Sequence, residues 1–443
     1  MVALAEFFSR LARRYLPDPL VIAILLTVAS IVLALIFGRS SPLDVITYWG
    51  EGFWGLLEFG MQVVLIILTG YLLASTPAAD RILDRLASIP TSPKTAVAMA
   101  VFVTGVASWF QWGFGLIVGT LIAQKIAVNV RDAHYPLVIA GAYGGFVIYG
   151  AGMSATIPLT VATPGHFLEE QMGIETLSET IFHPVVLALS IFTIVTLPFF
   201  MAMLHPKDPA KVIPIDPETV RPPEEPPVDP ESMGLGQRLN RHWFGGVVTG
   251  TLGLIYSVIY FFDGGQLNLN SVNFIFLMLA FLLFARPSRF LAAMAEGVKT
   301  VGGVIVQYPF YAGIMGIMTG SGLVVMFSDL FVQVSDENTL PLWTFLSAGL
   351  INVLIPSGGG QWAIQGPVMI EAANAVGASG AATAVAASIG DGWTNMLTPM
   401  FLLPVLAISK LKLQDVMGYV IMVLFYAAVV MGVAMLILGF MTS

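Results

Sequence analysis

Two stretches of this chain, residues 135 to 163 and 380 to 408, are long and apolar enough to cross a bilayer, yet they carry Gly, Ser, Asp and Pro where an unbroken span would carry Leu. Lipid offers a backbone group no hydrogen-bond partner, so an interrupted helix at that depth survives only where it lines a cavity or is enclosed by protein. The chain must surround these segments with other helices. Residues 20 to 37, 52 to 75, 181 to 204, 243 to 262, 271 to 285 and 416 to 440 read as simple spans, near the roughly 20 residues a bilayer requires. Residues 95 to 128 and 341 to 375 are too long for one span and are split by Gly-rich turns.

Composition fixes the solvent. Of 443 residues, 57% are apolar and only 10% are charged, against roughly 25% charged in a soluble domain; the expected class is an all-α polytopic membrane protein. The absence of Cys excludes a disulfide framework, a thiolate metal site and cysteine nucleophilic chemistry. All five His lie near the ends of apolar segments, so no His-lined metal centre, no cofactor and no hydrolase constellation is expected within the spans. With a net charge of −8, nucleic acid is not an expected partner. Arg10, Arg13, Arg14 and Pro17 lead directly into a full-length span, which argues against a cleavable signal.

Cationic residues favour the cytoplasmic side, and this tests a path through the bilayer. Suppose that 95 to 128 and 341 to 375 are re-entrant hairpins, that the two interrupted stretches cross, and that 301 to 327 form one more span. The chain then crosses about nine times, and every Lys and Arg except Arg39 falls on one face. The N-terminus is inside and the C-terminus outside on this path. Counting either split region as two full spans leaves the parity unchanged, so charge alone does not prove re-entrance. Residues 205 to 242 contain Pro222-Pro223-Glu224-Glu225-Pro226-Pro227 and form a Pro-rich cytoplasmic linker.

Self-comparison suggests a repeat. Glu51-Gly52 is followed by Gln62 as Glu296-Gly297 is followed by Gln307; Gln111-Trp112 recurs as Gln361-Trp362; Met153-Ser154-Ala155-Thr156-Ile157-Pro158 resembles Thr394-Asn395-Met396-Leu397-Thr398-Pro399. The matches keep their order and nearly their offset, as a duplicated unit requires. On the charge-derived path, residues 1 to 204 form a first membrane repeat and 263 to 443 a second, inverted one, with 243 to 262 as the connecting helix between them. Inverted repeats with broken helices mark secondary transporters whose sites lie near the midplane.

Four constellations are candidates for that site. In the second hairpin, Pro356 ends a helix and Ser357-Gly358-Gly359-Gly360-Gln361-Trp362 opens another, whose free amides suit an anion; the glycines also serve a tight turn. In the first hairpin, Ser108 and Gln111 are polar candidates and Trp109 and Trp112 either wall a pocket or anchor at the interface. In the first interrupted stretch, Ser154 and Thr156 precede Pro158, and their hydroxyls replace water around an ion or bond back within the helix. The second contains Asp391, Trp393, Thr394, Asn395 and Thr398. An acid at this depth is functional by default, so Asp391, with Asn395 and Ser154, is a candidate for a coupling ion or proton, or else caps the next half-helix. Glu58 and Gln62 share a helix face and either couple protons or bind each other. No Lys or Arg stands at the centre of a span, so a bound anion relies on amides, hydroxyls and a co-bound cation, as suits a small monovalent acid.

Tyr308-Pro309-Phe310-Tyr311-Ala312-Gly313-Ile314-Met315-Gly316, Pro356-Ser357-Gly358-Gly359-Gly360-Gln361-Trp362 and Gly390-Asp391-Gly392-Trp393-Thr394-Asn395 together resemble the bacterial short-chain fatty acid transporter family, associated with acetoacetate and butyrate uptake. The resemblance spans essentially the whole chain. That family is similar in organisation to the ion transporter group containing sodium-coupled dicarboxylate carriers, which work as elevators. The implied protein is a secondary active carrier of small monocarboxylates in the cytoplasmic membrane, working by Na+ or H+ symport, with both hairpins and both broken spans sliding against a scaffold of residues 20 to 75 and 243 to 327. By the same analogy it is a homodimer embedded in lipid. Its substrate set is Ser108, Gln111, Trp112, Ser154, Thr156, Ser357, Gly358, Gly359, Gly360, Gln361, Trp362, Trp393, Thr394, Asn395 and Thr398, with alkyl tails on Trp112, Trp362 or Trp393. The dicarboxylate carriers bear Ser-Asn-Thr at tip and break, which this chain lacks, so their sodium sites are not carried over. Alternatives are a dicarboxylate or other organic-anion carrier and an anion channel of the same architecture.

Overall fold

The computed structural model describes residues 19–38, 40–216, 234–299, 301–353 and 355–442. Arg10, Arg13, Arg14, Arg39, Arg221 and the Pro222 to Pro227 run lie outside the described residues, as does the middle of the expected linker.

Local sequence sets where the helices begin. Ser41, Thr76 and Ser92 each cap a helix whose next residue is proline; the hydroxyl satisfies an orphan amide and proline at the first position has no amide to satisfy. These open α2 (Pro42–Gly52), α4 (Pro77–Ala87) and α5 (Pro93–Phe110). The remaining elements of the first half are α1 (Pro19–Phe37), α3 (Leu57–Ala74), α6 (Trp112–Asn129), α7 (Tyr135–Gly145), α8 (Thr156–Val161), α9 (Glu169–Met172) and α10 (Pro184–Ala202). After the short α11 (Leu235–Arg241) come α12 (Phe244–Phe262), α13 (Leu269–Phe284), α14 (Pro287–Val298), α15 (Gly302–Gly320), α16 (Leu323–Val334), α17 (Leu340–Asn352), α18 (Gly358–Val376), α19 (Gly380–Thr394), α20 (Pro399–Ser409) and α21 (Leu413–Thr442).

Among the described residues, seven helical segments are long and apolar enough to cross a membrane, or eight if the bent pair Ile305–Gly320 and Leu323–Val334 counts as one span. That pair differs from the single span expected over 301 to 327. The axis turns by 77° there, because Gly322 at φ +79 takes a left-handed conformation that restarts the chain in a new direction. Both expected interruptions are present: α7 passes into a 3-10 segment, Phe146–Ala151, before α8, and Asn395 to Thr398 separate α19 from α20. α5 folds back on α6 around Gln111, and α17 packs against α18, so each pair is a helical hairpin; α5 and α6 are each long and apolar enough to cross a membrane.

The helices pack as two groups. In one, α15 contacts α1, α2 and α3, while α13 lies against α3 and α12. In the other, α5 packs on α6, α7 and α10, α17 packs on α19 and α21, and α19 meets the 3-10 segment. The groups touch where α6 lies along α3 and α18 along α15.

The first part of the expected linker is clamped to this second group. Tyr135 N–H donates to Ile213 O at 2.8 Å and Ile213 N–H to His134 Nδ1 at 3.0 Å, while His134 N–H donates to His205 Nε2 at 3.2 Å.

Candidate functional site

The two hairpin tips are built differently, and the difference decides where an anion can sit. At the first, Gln111 is extended and its side chain faces two ways. Oε1 accepts from the Phe114 amide, and Nε2 donates to Ile66 O on α3 at 2.7 Å. The Trp112 amide, first in α6, donates to Ser154 Oγ at 2.8 Å. The tip is thus zipped to the first interruption, a contact that Met153 N–H to Trp109 O, 2.6 Å, extends. Side chains already cap the α6 N-terminus.

At the second tip, Ser357 Oγ accepts from Gly360 N–H at 3.4 Å and pairs with the Tyr308 hydroxyl at 3.3 Å. Gly358 and Gly359 open α18, and first-turn amides have no partner within their own helix. Both glycines line a small cavity together with Pro356 and Ser357. Their lack of side chains is required: a Cβ on Gly359 would strike the Tyr308 hydroxyl and Phe59, and one on Gly360 would strike the Tyr311 ring.

The rest of the cavity comes from every neighbouring part. Trp112, Tyr149 and Thr156 line it from the first hairpin and first interruption, Phe401 from the first turn of α20, and Val63, Ile67 and Gln307 from α3 and α15. It admits water-sized spheres over about 40 Å³, which at roughly 10–15 Å³ per water is room for about three. Its aromatic side is continuous. Trp112 stands 6.0 Å from Tyr149 and 5.9 Å edge-on from Phe401, and Phe146 stacks beneath Tyr149 at 4.8 Å. No Lys or Arg is among its lining residues.

Behind the second tip lies a buried polar cluster. Asn352, the last residue of α17, donates through Nδ2 to Asp391 O at 2.9 Å, Thr394 Oγ1 at 3.1 Å and Asn395 Oδ1 at 2.7 Å. Two oxygens there have no hydrogen-bond partner: Asn352 Oδ1 and Asp391 Oδ1. Asp391 is 1% exposed, and its carboxylate lies against the start of α18, with Oδ2 3.4 Å from where a Gly358 Cβ would stand. Two buried oxygens, one formally anionic, are thus left uncompensated, which is costly at this depth. Among the described residues there is no group of three or more His, Asp and Glu that would hold a metal ion.

The structure brings some of the expected residues together and sets others apart. Trp112, Thr156, Ser357, Gly358 and Gly359 line the cavity; Ser154, Gly360, Asn395 and Thr398 support its walls by hydrogen bonds. Ser108 is fully buried against Gly115 with its hydroxyl unpartnered. Gln361 turns into its own hairpin, donating to Ala348 O at 3.2 Å and Gln365 Oε1 at 2.8 Å. Trp362 is buried among Ile157, Val161 and Leu168, Trp393 donates to Leu424 O at 2.9 Å, and Thr394 faces Asn352. Gln62 faces Asn270 on α13 at 3.0 Å, and Glu58 is exposed. Tyr149, Phe401 and Gln307 in the lining and the role of Asn352 were not anticipated. Asn352 adjoins the tip motif and Gln307 stood in the repeat match, but an aromatic in an apolar stretch carries no signal of its own.

Comparison with known proteins agrees with this architecture. A sequence profile of the family described as Short chain fatty acid transporter matches residues 1–438. A protein from Escherichia coli (strain K12), provisionally named a short-chain fatty acid transporter, is 38% identical over 431 residues, covering 96% of this chain and 97% of the relative. One from Haemophilus influenzae with the same provisional name is 36% identical over 435 residues, with the same coverage. Among solved structures, the Alcanivorax borkumensis YdaH transporter, described as having an unusual topology, superposes with a TM-score of 0.62 at 16% identity, over 94% of this chain and 98% of that one. That likeness establishes the fold.

Proposed function

The chain belongs to the short-chain fatty acid transporter family and is a multi-pass membrane transporter, not an enzyme; on that premise we propose that it carries small monocarboxylates across the cytoplasmic membrane by cation-coupled symport. The observation that carries this reading is the pairing, across one glycine turn, of a cavity lined by Gly358 and Gly359 at the start of α18 with a buried carboxylate at Asp391 whose Oδ1 has no hydrogen-bond partner. A carboxylate in the cavity meets two amides and the hydroxyls of Ser357, Thr156 and Tyr149, without any Lys or Arg. A proton or Na+ between Asp391 and Asn352 Oδ1, steadied by Asn395, neutralises the buried acid and strengthens the field that holds the substrate. Each ion favours binding of the other, which is the linkage symport needs. Ser154, which caps α6, joins the two half-sites mechanically.

The same reading includes movement. The order from α1 through α10, long and short helices followed by a hairpin, a broken helix and a long helix, recurs from α13 through α21. We read the halves as inverted repeats with α12 as the unpaired connector, the N-terminus inside and the C-terminus outside. The hairpins and broken helices form a unit that slides as an elevator along α3 and α15, in a homodimer held by the stationary group. A lining without Lys or Arg and space for about three waters favour small monovalent acids over dicarboxylates.

Counterflow of labelled butyrate into proteoliposomes, with sodium and pH gradients imposed separately, tests the reading. Accumulation above the external concentration, driven by one of the two gradients, is expected. Passive equilibration alone would identify a channel, and transport of dicarboxylates but not butyrate would reassign the substrate.

A further inference from the structure

The cavity's aromatic side is held unevenly, and the unevenness singles out one residue. Trp112 is fixed at its backbone by the bond from its amide to Ser154 Oγ, and the residue is 8% exposed. Tyr149 is fixed at both ends, its ring stacked on Phe146 at 4.8 Å and its hydroxyl accepting from Asn395 Nδ2 at 3.3 Å. Phe401 has neither kind of tether. Its side chain has no polar atom, its ring is only half-buried, and it is positioned by packing alone, edge-on to Trp112 at 5.9 Å and against Phe146 at 5.7 Å. It projects from the first turn of α20, on the far side of the interruption from the polar cluster. The glycine tip therefore offers one end of a bound acid its first-turn amides, while among the aromatic walls Phe401 is the one that can yield or be replaced without cutting a hydrogen bond.

We propose that Phe401 is the chain-length gauge of this carrier: with the carboxylate held at Gly358 and Gly359, the alkyl end of the substrate runs against the Phe401 ring, and the ring's reach sets the longest acid accepted. The inference rests on the monocarboxylate reading of the cavity. With room for about three waters, the cavity admits only a short acid before a wall has to move. A methylene that finds apolar room tightens binding by about fourfold, whereas one that has to move a packed ring loses that gain and disturbs the packing. Affinity should rise from acetate to butyrate and fall beyond it. Trp112 and Tyr149 have the same chemistry but are tethered, so altering them perturbs the tip or the interruption as well as the space.

The test is competition of straight-chain acids from acetate to octanoate against labelled butyrate in proteoliposomes, for wild type and for Phe401→Ala, Phe401→Leu and Phe401→Trp, each profile normalised to its own butyrate value. Phe401→Ala should move the best competitor at least two carbons longer, with hexanoate gaining tenfold or more relative to butyrate. Phe401→Leu should fall between, and Phe401→Trp should move the optimum toward acetate and propionate. Shifts of opposite sign from larger and smaller side chains cannot come from general damage. If wild type carries butyrate and the variant profiles superimpose on it, or all variants shift the same way, the gauge is refuted while the substrate assignment stands. If wild type carries no monocarboxylate of any length, the function proposed above fails and the gauge fails with it.

Discussion

Asn395 Nδ2 donates to the Tyr149 hydroxyl at 3.3 Å, and this one bond ties the interruption between α19 and α20 to the interruption in the other half of the chain. Tyr143 reinforces it, its hydroxyl donating to Asn395 O at 2.7 Å, and Ser388 Oγ adds a bond to Gly150 O at 2.7 Å. The two breaks are thus one rigid body, and the cavity stands on it. Removing the Tyr149 hydroxyl leaves a buried amide without its acceptor, at a cost of about 1–3 kcal/mol, and takes a donor from the cavity. Tyr149→Phe should therefore lower the melting temperature and raise the apparent KM for butyrate several-fold. Thermal unfolding in detergent and uptake kinetics check both, and Asn395→Ala should have the larger effect on stability because it also removes the shortest of the three bonds from Asn352 Nδ2, 2.7 Å to Asn395 Oδ1.

The contact between the breaks is close enough to forbid a methyl group. A Cβ on Gly150 would collide with the Ser388 carbonyl oxygen, a backbone atom that cannot rotate aside, whereas a Cβ on Gly50 would meet nothing within 4 Å. Gly150→Ala should be destabilised by about 1–3 kcal/mol or more and give little folded carrier, while Gly50→Ala, inside a helix, should be neutral or slightly stabilising. Fluorescence-detected size exclusion of the two variants separates these outcomes.

The interruptions and tips were legible because Gly150-Ala151-Gly152, Pro158, Gly358-Gly359-Gly360 and Asp391 stand in stretches where lipid permits only regular apolar helix, so each departure needs a structural reason. What was not legible is direction. Gln111 and Gln361 look alike beside their tips, yet one reaches across to α3 and the other folds back onto α17; only tertiary neighbours decide that. Tyr149 and Phe401 escaped because an aromatic in an apolar helix reads as core whether or not a cavity lies beside it. The bend at Ser321-Gly322 was written in the sequence as a Gly-Ser-Gly step, but glycine is common in membrane helices and the step did not announce a turn.

Gln361 tests how much of a binding defect can come from a residue outside the cavity. Its side chain stitches α18 to the Ala348 carbonyl and to Gln365, which continues to Ser347 at 3.0 Å. Gln361→Ala should reduce the maximal uptake rate and the thermal stability of the second hairpin, with the apparent KM for butyrate changed less than twofold. A large rise in KM with normal stability would instead place the amide in contact with substrate.

The clamp at the start of the linker has a defined pH response. Burial, with a smaller contribution from the nearby His205, lowers the His134 pKa from 6.5 to about 4, so the ring is neutral at physiological pH and Nδ1 is free to accept from Ile213 N–H. Released into water the ring takes up a proton near pH 6.5. The undocked state therefore binds more protons between those values, and docking, complete above about pH 6.5, weakens as the pH falls toward 4. Protection of the Ile213 and Tyr135 amides from hydrogen exchange, corrected for intrinsic rates, should drop between pH 7 and pH 5, and in His134→Gln the drop should be largely abolished.

The polar cluster behind the second tip makes the sharpest demand on the coupling reading. Asp391 Oδ1 and Asn352 Oδ1 are both buried and bare, and an uncompensated carboxylate in such a site is costly unless a proton or cation joins it. Asp391→Asn removes the charge while keeping the shape, so the pocket no longer needs a cation to be filled. The variant should lose uptake against a concentration gradient under both sodium and pH gradients, by at least tenfold, while retaining measurable counterflow exchange of butyrate. Asn352→Leu, which deletes the second oxygen and three hydrogen bonds of the amide, should shift the concentration of the driving ion needed for half-maximal uptake as well as lower stability. Concentrative uptake by Asp391→Asn at the wild-type rate, with the same ion dependence, would remove this carboxylate from the coupling mechanism and require the ion to be held elsewhere around the tip.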